Sequence, residues 1–123
     1  MAPLAYQVVD NKALWGGRGL NDWVPDAVAR IVEDFAPLRL LLFGSVARGD
    51  DGPDSDIDLL IVFDRIEARR HDIATAILQA TKGIGAPIDV FVTDMDDIKM
   101  RATLPGLLRV ALREGRVVYE RSG

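Results

Sequence analysis

The chain has 123 residues, no cysteine and a formal net charge of −4. That length makes one domain around a single core, and the lack of thiols excludes disulfides and thiolate metal sites. The acidic balance argues against a protein that grips nucleic acid through its phosphates, and no apolar run approaches the roughly 20 residues of a membrane span.

The N-terminus lacks a basic region followed by an apolar core, so no secretory leader is read there, and a cytoplasmic location is expected. Residues 1–22 show no persistent period, and Gly16, Gly17 and Gly19 beside Trp15 read as a loop. Pro25 suits the first turn of a helix, which Ala27, Val28, Ile31, Val32 and Phe35 continue as an apolar stripe ending near Pro37. Residues 38–43 read as a buried strand, residues 45–48 as a short helical turn stopped by Gly49, and residues 56–63 as a second strand. An amphipathic helix is expected over 67–82, ended by Gly83 and Gly85. The segment PIDVFVT then makes a third strand with one buried-looking acid, Asp89. Asp94 can cap a short helix with Asp97 at its third position. Pro105 opens another helix, which Gly115 closes, and residues 116–120 form a last strand. The expected class is α+β: a small mixed sheet with helices against one face.

Charge is uneven along this order. Residues 1–64 carry 11 acidic and 5 basic side chains, residues 65–123 carry 8 acidic and 10 basic, and the acidic excess peaks between Asp50 and Asp64. Asp50, Asp51 and Asp54 are explained as turn formers beside Gly52 and Pro53. Asp56 and Asp58 are not, because they open an apolar strand that would ordinarily exclude them. Spaced i, i+2, they point to the same side of that strand. Two adjacent carboxylates repel unless a cation lies between them, and all-oxygen ligands of this kind suit Mg²⁺ together with substrate phosphates. Asp89 on a neighbouring strand would complete a set of three, enough for two ions about 3.5–4 Å apart.

A phosphate-holding element precedes the acids. Gly44 lets a phosphate approach the backbone, and Ser45 offers a hydroxyl and an amide at the positive end of a short helix. Arg48, one turn on, reaches a phosphate or braces the acidic loop. Neither a P-loop nor a dinucleotide fingerprint occurs. His71, the lone histidine, and the basic group Arg65, Arg69 and Arg70 read as solvated side chains on a helix face.

The stretch GSVARGDDGPDSDIDLLIVF, with ten residues between Ser45 and Asp56 and a later PIDVFV acid, resembles the DNA polymerase β-like nucleotidyltransferase superfamily, in particular its minimal nucleotidyltransferase branch. The resemblance runs over about residues 24–119. It implies a polymerase β-like fold in which Asp56, Asp58 and Asp89 bind two divalent cations, Mg²⁺ or Mn²⁺, and carry catalysis. Gly44 and Ser45 would hold the phosphates of the nucleoside triphosphate, most naturally ATP, and Arg48 is the further phosphate-binding candidate read from its position one turn on. The branch further implies an antitoxin whose partner is a HEPN-domain toxin, with AMP moved onto a tyrosine of that partner. Two alternatives stand beside this: a non-catalytic antitoxin acting by contact, and a transferase with a small-molecule acceptor. The latter is disfavoured for want of a second domain to build a pocket. Residues 1–23 depart from the short form of the branch. They form an extension ahead of a domain over 24–123, either an added interaction surface or a strand on the sheet edge. Self-association is left open.

Overall fold

The computed structural model describes residues 6–122. Residues 1–5, the head of the extension and of the segment read as lacking a leader, lie outside the described residues.

The first described segment is not the expected loop. Strands β1 (Tyr6–Val9), β2 (Lys12–Trp15) and β3 (Arg18–Gly19) make a three-stranded antiparallel sheet. Two-residue links join them, with φ of 52° and 63° at Asp10 and Asn11 and of 60° and 80° at Gly16 and Gly17. Positive φ at both central residues matches the twist of the flanking strands, which is why such hairpins favour Asn, Asp and Gly in the turn. This sheet is separate from the main one, so the extension is not a strand on the main sheet's edge.

Helix α1 (Leu20–Phe35) starts five residues before Pro25, which therefore lies inside the helix rather than in its first turn. The apolar stripe begins earlier than expected: Leu20, Val24, Ala27 and Ile31 are all buried. Packing of that stripe outweighs the one backbone hydrogen bond that proline cannot donate. The division expected between residues 23 and 24 consequently falls within a helix. The Trp23 indole N–H donates to the Trp15 carbonyl at 3.0 Å, and the Arg18 guanidinium lies 4.0 Å from the centre of the Trp23 ring. These contacts bind α1 to the small sheet.

The main sheet has the order β6-β5-β4-β7. It consists of β4 (Arg39–Phe43), β5 (Ile57–Phe63), β6 (Ile88–Asp94) and β7 (Arg116–Glu120). The β5–β6 pair is parallel, connected by α3 (Arg70–Ala80), and the other pairs are antiparallel, so the sheet is mixed as expected. Short helices α2 (Gly44–Arg48) and α4 (Met95–Arg101), then α5 (Leu107–Glu114), complete the element order.

Helices cover both faces of this sheet, a correction to the single covered face expected. Alternation divides the strands into two apolar sets. Leu40, Leu42, Ile57, Leu59, Ile61 and Val90 pack with α1 and α3. Leu41, Phe43, Leu60 and Val62 pack with Leu108 and Ala111 of α5. Residues facing both ways from one strand read as a continuous hydrophobic run, the mark of a strand buried on both faces. Among the described residues, no helix is long and apolar enough to cross a membrane.

Candidate active site

The second apolar set shares its face with the acids. In β5, Ile57 and Leu59 point toward α1 and α3, so Asp58 points with Leu60 toward α5. The parallel register sets Asp58 beside Asp89, whose neighbours Ile88 and Val90 face the opposite way. Asp56, just ahead of β5, is exposed. Asp89 is exposed too, where a buried acid was expected, because β6 is an edge strand.

Asp58 is half-buried, and its carboxyl is pushed up to about 6. Burial is the main cause, followed by the charges of Asp89 and then Asp56, while Arg48 pulls the other way. Asp58 therefore feels the charge of both other acids, yet the three do not close on a common point. Asp89 Oδ1 accepts from the Val90 N–H at 3.0 Å, and among the described residues no three such side chains stand at the spacing of a formed metal cage. The donor set itself fits a hard divalent cation: all oxygen, on adjoining segments, with two members open to solvent.

Gly44 sits where β4 ends, and Phe43 is the register partner of Asp58. Its φ is 75°, and a Cβ built there would run into the Asp58 carboxylate. Glycine is thus required twice over, by the left-handed turn and by the close approach of the acid. The Asp58 carboxylate therefore lines the space beside Gly44 that was expected to admit a phosphate. Ser45 follows in the first turn of α2, and its hydroxyl donates to the Ser55 hydroxyl at 3.0 Å. Ser55 in turn accepts from the Gly52 N–H at 2.8 Å. This chain of bonds ties the Gly-Ser turn to the loop that delivers Asp56.

Arg48 braces rather than reaches. Its Nε lies 3.2 Å from Asp50 Oδ2 and its Nη1 lies 3.1 Å from Glu114 Oε1, contacts that raise its pKa further. Arg70 of the basic group is held by Asp97 at 2.7 Å. Asp97 also accepts from the Thr93 hydroxyl, at 2.6 Å, beneath the expected Asp94 cap.

The site also includes Ser55, Tyr6 and Lys12, which are not among the expected site residues. Ser55 was legible only as the neighbour of Asp56. Tyr6 donates its phenol to the Pro53 carbonyl at 2.8 Å, and Lys12 Nζ reaches Asp51 Oδ1 at 2.9 Å and the Gly49 carbonyl at 3.2 Å. The small sheet thus grips both ends of the acidic loop. The available signal was the pair of two-residue turns, whose flanking runs YQVV and KALW read as strands once the turns are recognised.

A family model described as a nucleotidyltransferase domain matches residues 24–118. Among solved structures, the crystal structure of a candidate nucleotidyltransferase from Sulfolobus solfataricus is similar at 27% identity and a TM-score of 0.60. The likeness covers 83% of this chain and 81% of that one. No curated protein matches the chain.

Proposed function

Because the chain belongs to the nucleotidyltransferase domain family, we propose that it moves AMP from ATP onto a hydroxyl of a protein partner. The observation that carries the reading is the meeting of Asp58 and Asp89 beside the Gly44-Ser45 turn. In the transfer, the acceptor oxygen bonds to the α-phosphorus as the bond from that phosphorus to pyrophosphate breaks. The acceptor's proton passes to a carboxylate. Asp89 takes it in this reading, being exposed and next to Asp58. Ser45 turns its hydroxyl proton from Ser55 to the triphosphate and adds its amide. Divalent cations held by Asp56, Asp58 and Asp89, Mg²⁺ or Mn²⁺, would supply charge stabilisation at both ends of the displacement.

Exposure of Asp56 and Asp89 supports a macromolecular acceptor, since a side chain on another protein can approach them from solvent. The partner of the proposal is a HEPN-domain toxin, neutralised by modification of a tyrosine. Intact-mass measurement of that partner, after incubation with ATP and Mg²⁺, tests the reading. One added AMP is expected with the wild-type chain and none with Asp58→Ala. A partner that binds the chain but gains no mass, with any nucleoside triphosphate and with Mg²⁺ or Mn²⁺, would replace the enzyme with an antitoxin acting by contact.

A further inference from the structure

A cavity of about 350 Å³ adjoins Asp56 on the side of the small sheet. Tyr6 and Trp15, Pro53 and Pro87 form its walls, and Asp54 and Asp56 supply its acids. The two aromatic rings lie 4.7 Å apart between centres, tilted by 52°. The wall is fixed in place: Tyr6 is bonded to Pro53, and Lys12 to Gly49 and Asp51. Its aromatic half comes from residues outside the matched span 24–118.

The lining selects its occupant by chemistry. It holds no basic side chain, so a triphosphate is repelled from it. It offers flat aromatic surface and carboxylate acceptors, which suit a planar group that carries N–H donors. Asp56 belongs both to the cavity and to the acidic triad, so a group joined to the phosphates by one sugar spans the two. We propose that this cavity is the base subsite of the donor nucleotide. A purine lies against Tyr6 and Trp15 and its exocyclic amine donates to Asp54. The assignment rests on the transferase reading above and adds to it a role for the small sheet, as the element that recognises the base.

The experiment separates base from phosphates. In a Trp23→Phe background, Trp15 is the sole indole and reports the cavity directly. Adenosine, ATP and inorganic tripolyphosphate are titrated in turn into the full chain, the last two with Mg²⁺, and binding is followed by Trp15 emission and by calorimetry. Adenosine and ATP should change the emission, and tripolyphosphate should bind without doing so. Asp54→Ala should weaken ATP and adenosine by about tenfold while leaving tripolyphosphate unaffected, and Tyr6→Ala, which also frees the Pro53 carbonyl, should weaken adenosine by about tenfold and ATP more than tripolyphosphate. Lys12→Ala, which loosens the loop without touching the lining, should weaken ATP and tripolyphosphate alike. ATP that binds with no change in Trp15 emission, or a Tyr6→Ala effect equal for ATP and tripolyphosphate, would overturn the subsite. An adenosine response without any binding of tripolyphosphate would keep the subsite and remove the transferase reading instead.

Discussion

Asp58 concentrates the conflict at the residue scale. Its carboxyl, raised from 3.8 to about 6, holds its proton more tightly in the native state than in the unfolded chain. Stability is therefore highest at acid pH with respect to this group, falls as pH rises from about 4 to about 6, and stays reduced above. Asp58→Asn should raise metal-free stability above pH 6 by about 1–2 kcal/mol, allowing for solvent screening of a half-buried group, and change little below pH 4. Denaturant titration with a chelator at the two pH values checks this. Mg²⁺ should act in the opposite sense, raising the melting temperature of the wild-type chain and not of Asp58→Asn, with apparent affinity increasing as pH passes 6. Ser45→Ala removes a net hydrogen bond of about 0.5–1.5 kcal/mol, so nucleotide affinity should fall roughly two- to twelvefold with the fold intact. Unchanged affinity and transfer would leave Ser45 only its bond to Ser55.

The helical turn α2 shows how one element sets several groups at once. It is bounded by Gly44 and Gly49, both left-handed, but the two glycines differ in what surrounds them. A Cβ at Gly49 would meet nothing within 4 Å, so Gly49→Ala should cost about 1 kcal/mol of backbone strain and spare the chemistry. Gly44→Ala adds a collision with the Asp58 carboxylate, so it should also abolish the stabilisation by Mg²⁺. Equal losses of melting temperature, with the metal response kept in both, would refute the distinction. The strands β5 and β6 make the other contribution. Their apolar runs were legible as strands because β-branched and aromatic residues cluster there between turn formers. The i, i+2 spacing of Asp56 and Asp58 likewise told which side of the strand they share. The Asp58–Asp89 pairing was a further step, since register between segments thirty residues apart depends on the crossover through α3.

At the scale of the whole molecule, the small sheet and the main domain act as one unit. Residues 6–19 cover α1 through Trp15 and Trp23 and hold the acidic loop through Tyr6 and Lys12. Removing residues 1–19 should lower the melting temperature and speed amide hydrogen exchange over residues 49–56. Exchange as slow as in the full chain would show that the loop keeps its shape without the clamp. By itself the sequence determined the chemistry: which side chains are acids, that a Gly-Ser turn precedes them, and that the class is α+β. These are local properties, decided by residue type, alternation and turn formers within a few positions. Tertiary structure alone decided that Gly44 makes room for Asp58, that Arg48 is taken by Asp50 and Glu114, and that helices cover both sheet faces. It also decided that an apparent glycine loop folds into the sheet beside the site. Each of those depends on which distant segment arrives as a neighbour, and a linear pattern carries no distance between residues that meet only on folding.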